Sequence, residues 1–252
     1  MNVVQGRPTR KVISLNLNLI SYEETLNEIV SMAKNKMSGY VCFANVHMTI
    51  ESYEDKKFAN QVNNATLVLS DGMPLVKYIN YFHGYRQERI AGMDIFPDVI
   101  RLAETNRLKI FFFGTTPEVL EIIRLKIIKK YPNSEIAGLV SPPFDKSLDD
   151  ESYINEIVHS NANLVFVALG CPKQEKWMAN HSHKINAVLL GVGGAFPVFA
   201  ELTKRAPLVL QKIGLEWLYR LAQEPRRLLG RYFKTNTKFL FLVLTERIRL
   251  IL

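Results

Sequence analysis

Short apolar runs alternate with amphipathic stretches of roughly 10 to 15 residues along most of this chain. No other feature constrains the fold as strongly. Runs expected to be strands fall at 11–15, 39–43, 66–69, 109–113, 135–139, 164–169 and 187–192. Stretches expected to be helices fall at 21–36, 47–63, 74–81, 94–106, 117–131, 149–159 and 172–182. Strands separated by helix-length segments pair in parallel and need helices to cover both faces, so the pattern predicts an α/β fold built on a parallel sheet. Ligands of such sheets sit beyond the carboxyl ends of the strands. That rule singles out Asn45, Asp71, Gly114, Gly170 and Gly193.

Charge divides the chain unevenly. Of 252 residues with a net charge of +8, positions 203–252 hold eleven Lys/Arg against three acids, and positions 1–202 are neutral. The pattern becomes continuously helical from Pro207. We therefore expect a core over 1–206 and a basic helical appendage over 207–252. The appendage interleaves Arg226, Arg227, Arg231, Lys234 and Lys238 with Leu228, Leu229, Tyr232, Phe233, Phe239 and Phe241, as an interfacial helix does. Packing on the core or on another subunit, with the charges solvated, is the plainer alternative. A nucleic-acid surface has the same composition, but no nucleic-acid motif accompanies it.

The longest apolar run of this region, 239–244, is far short of the roughly 20 residues that cross a bilayer, so no span is expected. The opening MNVVQGRPTRKV has basic residues without an apolar segment behind them, and no secretory leader is expected. Cys42 and Cys171 lie outside any ligand or disulfide spacing, which fits a reducing cytoplasm. His181 and His183 lack a third ligand and are expected at the surface.

Three loops could carry chemistry. In LSDGMPLV (69–76) Asp71 ends a strand before a helix that Pro74 can start. It is either a general base or the cap of that helix. FFFGTTPEV (111–119) and LGVGGAFP (190–197) are glycine turns that could approach a phosphate or simply join strand to helix. VALGCPKQEKW (167–177) crowds Lys173, Gln174 and Glu175 into a first helical turn. There Lys173 could meet phosphate and Gln174 a sugar or base, unless the turn is merely a solvated helix start.

In this order, ANVH (44–47), SDGMPLV (70–76), ERIAGMD (88–94), FFFGTTPEV, SPPF (141–144), LGCPKQEKW (169–177), GVGGAF (191–196), KRAP (204–207) and GLEWLYRLAQEPRRLLGRY (214–232) resemble the WecG/TagA/CpsF family of glycosyltransferases. The resemblance spans about residues 11–232. It implies a Rossmann-like core and an inverting, metal-independent transfer of glucose, N-acetylmannosamine or its uronic acid. The donor would be a UDP-sugar, and the acceptor a saccharide linked to polyprenyl diphosphate, in cell-surface polysaccharide synthesis (teichoic acid linkage units, enterobacterial antigen or exopolysaccharide). The DGMPLV form looks more like the exopolysaccharide members. No Asp-x-Asp pair follows a strand, in keeping with the absence of a metal, and no prosthetic group is expected.

By the same resemblance Asp71 is the base and Asn45 touches the donor. Gln174 lies in the active site, Gly114 and Gly193 admit the nucleotide, and Arg89 either meets the diphosphate or forms a structural ion pair with Glu88 or another acid. The appendage is then expected to reach an anionic membrane on its cytoplasmic side. Arg220, Arg227 and Arg231 would close over the site onto the acceptor diphosphate, with Arg226 adding to the basic face. Homo-oligomers are expected from relatives. Phe43 and Pro197 depart from the family pattern, where many relatives have Thr and Asp; they leave donor identity open and keep alive a non-catalytic UDP-sugar-binding subunit of an assembly complex.

Overall fold

The computed structural model describes residues 7–143, 148 and 150–251, and side chains up to 248. Phe144 of SPPF and Asp149, where a helix was expected to start, lie outside the described residues. Six strands form one sheet in the order β4-β3-β8-β7-β5-β6, every pair parallel. They are β3 (Gly39–Ala44), β4 (Leu67–Ser70), β5 (Lys109–Gly114), β6 (Glu135–Val140), β7 (Leu164–Ala168) and β8 (Val188–Gly191). The expected α/β architecture, a Rossmann-like parallel sheet with helices on both faces and a C-terminal helical appendage, is the one observed.

A parallel strand buried on both faces has no solvent side, so its sequence is apolar throughout rather than alternating. Phe111, Phe112 and Phe113 of β5 are all 0% exposed. Because successive side chains point to opposite faces, Phe112 joins Phe43, Leu69, Phe166 and Leu190 in one core layer. Phe111 and Phe113 join Cys42, Val68, Val165 and Leu189 in the other. The first layer packs under α1 (Tyr22–Lys34), α5 (Gly92–Thr105) and α6 (Pro117–Lys130). The second packs under α2 (Val46–Glu54), α3 (Lys56–Asn63), α4 (Met73–His83), α7 (Glu151–His159) and α8 (Lys173–His181). Helix α9 (Ala195–Phe199), unforeseen in the sequence, follows β8.

Two expected elements are divided. The run at 11–15 is an antiparallel hairpin, β1 (Thr9–Val12) and β2 (Leu15–Asn18), turned at Ile13 with φ 57°. Neither turn residue is Gly or Asn, so the usual hairpin signal is absent. The hairpin shields the sheet's β4 edge: Asn18 Oδ1 accepts the Val68 N–H at 2.8 Å. The stretch at 47–63 breaks at Asp55, which ends α2 and caps α3 by accepting the Phe58 N–H at 3.0 Å. His181 also departs from expectation. It is buried, its ring packed on Trp177 and its Nδ1 2.8 Å from the Trp177 carbonyl, whereas His183 is exposed.

Beyond residue 206 come α10 (Leu208–Ile213), α11 (Glu216–Gln223) and α12 (Pro225–Ile251). Helix α12 lies along α2. It buries Leu228, Thr235 and Phe239 and pairs Lys234 and Lys238 with Glu54 at 3.0 and 2.7 Å. No helix among the described residues is long and apolar enough to cross a membrane.

Phe96 ties α5 to the sheet and to α9 through ring contacts with Phe112, Phe166, Phe196 and Phe199 at 4.8–6.1 Å. Phe96→Ala should therefore cost about 3–5 kcal/mol in urea unfolding. A loss below about 1 kcal/mol, the range of ordinary surface changes, would contradict this packing.

Candidate active site

Parallel strands deliver all their strand-to-helix turns to one edge. Here the turns after β3, β4, β7 and β8 surround a cleft of about 490 Å³. Its floor is made by Asn45, Asp71, Gly170, Gln174 and the 191–194 turn, with the Phe43 ring beneath. Its roof comes from the appendage: Gln211, Glu216 and Trp217, then Arg220, Arg227, Arg231 and Tyr232.

The β4 turn is fixed by β3, since the N–H groups of Asp71 and Gly72 both donate to the Ala44 carbonyl, at 2.9 and 3.2 Å. Helix α4 then starts at Met73 with Gly72 as its cap and no side-chain cap bond. Asp71 is therefore not the helix cap, and its carboxylate makes no hydrogen bond among the described residues. Burial raises its pKa from 3.8 to about 7. Arg89 and Arg220 pull it down, and Glu216 and Asp94 push it up, by smaller amounts. Asn45 caps α2, its Oδ1 accepting the Met48 N–H at 3.2 Å, which leaves its amide NH₂ as the group available to a ligand.

Gln174 and Glu175 are 5% and 0% exposed, so the start of α8 is not a solvated turn; Lys173 alone points outward. Gln174 Nε2 donates to Glu175 Oε1 at 2.6 Å and to the Gly191 carbonyl at 3.0 Å. Burial carries the Glu175 carboxyl up to about 7 as well. Gly193, with φ 30°, leaves space that the Gln174 amide fills: a Cβ there would sit 3.0 Å from Oε1.

Arg89 is engaged in ion pairs. It bonds Glu216 at 2.7 Å and Asp94 at 3.2 Å, and Arg205 reaches Asp94 at 2.6 Å. The structural ion-pair alternative thus describes its contacts, although Glu88 is not the partner and instead accepts the Tyr22 N–H. The Arg89–Glu216 pair ties the core to α11 above the cleft. Arg220 and Arg231 have no acidic partner among the described residues, and Arg227 pairs with Glu224 at 2.7 Å. Four arginines against Asp71 and Glu216 give the cleft an excess of bidentate donors, the chemistry that recognises a diphosphate.

Gly114, Lys173 and Arg226 are not in the cleft lining. Gly114 serves strand packing, since a Cβ there would lie 2.4 Å from the Ala168 carbonyl oxygen. Sequence reasoning passed over His47 and Glu216, both in the lining, and the burial of Glu175. His47 follows Asn45 by two residues at the start of α2. Burial, and then the Arg231 charge, lower its pKa. The signal for Glu216 was the acid beginning α11 inside GLEWLY. No group of three or more His, Cys, Asp or Glu side chains gathers among the described residues.

A raised carboxyl pKa has a consequence for stability. Between about pH 4 and pH 7 the folded protein holds a proton on Asp71 that the unfolded chain has released, so stability falls as pH rises through that window. Asp71→Asn removes this dependence. The variant should be more stable than the wild type at pH 8 in urea unfolding, with the difference shrinking toward pH 4. Glu175 contributes equally to both proteins and drops out of the comparison. A variant no more stable at pH 8 would show that Asp71 is not desolvated.

The family profile described as "Glycosyl transferase WecG/TagA/CpsF family" matches residues 10–251. The N-acetylglucosaminyldiphosphoundecaprenol N-acetyl-beta-D-mannosaminyltransferase of Bacillus subtilis (strain 168) is 32% identical over 226 residues, 89% of this chain and 86% of the relative. The enzyme of the same name from Staphylococcus aureus (strain MW2) is 29% identical over 193 residues, 75% of this chain and 74% of the relative.

Proposed function

The chain belongs to the WecG/TagA/CpsF glycosyltransferase family, and from that premise we propose an inverting transfer of a hexose or N-acetylhexosamine from a UDP-sugar to a polyprenyl-diphosphate-linked saccharide in cell-surface polysaccharide synthesis. Of glucose, N-acetylmannosamine and its uronic acid, N-acetylmannosamine is the first donor to test. Both relatives named above carry it in their names, along with an acceptor of N-acetylglucosamine on undecaprenyl diphosphate.

The observation that carries this reading is the Asp71 carboxylate: free of hydrogen bonds, in a cleft roofed by arginines, with a pKa near neutrality. A general base works best when its pKa lies near the working pH. In the proposed step Asp71 takes the proton of an acceptor hydroxyl as that oxygen bonds to the anomeric carbon of the sugar. The bond from that carbon to the diphosphate oxygen breaks on the opposite face, and its electron pair leaves with UDP. Configuration inverts. Arg220, Arg227 and Arg231 would balance charge gathering on the diphosphates, as preorganised donors do, while Asn45 and Gln174 hold the donor. The reaction so written uses no metal and no resident cofactor.

Asp71→Asn should lower kcat by about 10²–10⁴-fold, the usual worth of a positioned base, and leave UDP affinity unchanged. In the wild type, kcat/KM should rise with pH to a plateau above about 7. Full transfer by the variant would remove Asp71 from the mechanism. Lost UDP binding would make it a structural residue instead.

Positions 207–252 are the proposed membrane-facing appendage, seated at the cytoplasmic surface where the lipid-linked acceptor lies. Leu229, Phe233, Leu240, Phe241 and Leu244 of α12 are 57–76% exposed among basic side chains, a combination suited to an anionic lipid surface. Binding to vesicles containing phosphatidylglycerol should weaken with added salt and fall further in Phe233→Ser/Phe241→Ser. Binding that ignores both would argue that this face packs against protein.

A further inference from the structure

Behind the cleft lining, hydrogen-bonded to Gln174, lies a buried carboxylate that the proposed step does not use. Glu175 is 0% exposed in the first turn of α8, and its Oε2 has no hydrogen-bond partner among the described residues. Its Oε1 accepts from Gln174 Nε2 at 2.6 Å. The two hydrogens of that amide nitrogen have two acceptors, Glu175 Oε1 and the Gly191 carbonyl. A backbone carbonyl can only accept, so the nitrogen end of the amide must face Gly191.

This fixes the other end. Gln174 Oε1 is buried, has no hydrogen-bond partner among the described residues, and belongs to a side chain that lines the cleft. The 191–194 turn is shaped around the amide: a Cβ at Gly191 would lie 3.1 Å from Nε2, and one at Gly193 3.0 Å from Oε1. A buried acceptor without a donor is costly, and a ligand N–H or O–H relieves that cost.

We propose that Glu175 is a positioning residue that, by taking the second N–H while the Gly191 carbonyl takes the first, locks the Gln174 amide with Oε1 presented to the cleft as an obligate acceptor, selecting nucleotide-sugars that place an N–H or O–H against it. The proposal rests on the reading of the cleft as a nucleotide-sugar site. The base's imide N–H, a sugar hydroxyl and an acetamido N–H share the required chemistry.

The test is a binding cycle with Glu175→Met, Gln174→Met and the double variant, titrated with UDP and with UDP-N-acetylmannosamine. Loss of one hydrogen bond should weaken binding about tenfold in each single variant. Because Glu175 acts through Gln174, the double variant should bind no more weakly than Gln174→Met. Glu175→Gln keeps an oxygen facing Nε2 and should bind like the wild type. A loss seen with UDP places the donor group on the nucleotide; a loss confined to the UDP-sugar places it on the sugar.

Equal losses from Glu175→Met in both backgrounds would mean a merely structural role, and wild-type affinity in Glu175→Met would mean that no lock exists. Either overturns the proposal while leaving the site reading intact. A wild type that binds neither nucleotide overturns both. Glu175→Ser, too short to reach Nε2, replaces the methionine variant if that one does not fold.

Discussion

Everything at the cleft follows from one constraint: six strands running in the same direction have all their carboxyl ends on one edge. The chain leaves that edge after β3 and β4 toward one side and returns through β7 and β8 to the centre of the sheet, so Asn45, Asp71, Gln174 and the 191–194 turn come together although they span 150 residues of sequence. The hydrogen bonds from Asp71 and Gly72 to the Ala44 carbonyl complete the constraint locally, holding the acid against the neighbouring strand end.

The electrostatics of the cleft depend on the appendage as much as on the sheet. Glu216 and Arg220, both on α11, act on Asp71 with opposite sign, and Glu216 also occupies Arg89. What remains is the desolvation of a carboxylate roofed by helices, which raises its pKa toward neutrality. An α11 held elsewhere would rehydrate Asp71 and free Arg89 from Glu216, leaving it with Asp94. The position of the basic appendage and the protonation of the acid are thus linked, chiefly through the desolvation of Asp71.

The parallel sheet was legible because burial on both faces leaves an unmistakable apolar run, as at 111–113. The hairpin at β1 and β2 was not, because Ile13 and Ser14 make a turn without Gly or Asn. Asp55 carried a cap signal that an unbroken amphipathic pattern concealed. At the site, the strand-end rule located Asn45, Asp71, Gly170 and Gly193 in the cleft but placed Gly114 one strand too far out. Two local alternatives could be separated only in three dimensions: whether Asp71 caps α4, and whether Gln174 and Glu175 are solvated. Glu216 lies 145 residues from Asp71, and no local pattern reveals that pairing of α11 with the cleft.

The most direct test of the central claim is UDP release by the purified protein in detergent, from UDP-N-acetylmannosamine, its uronic acid and UDP-glucose, each offered with N-acetylglucosamine or glucose on polyprenyl diphosphate. The account predicts release that requires one donor and one lipid-linked acceptor together, with a product of inverted configuration. Silence across every pairing, from protein that still binds UDP, would contradict it and leave a nucleotide-sugar-binding subunit in place of a transferase.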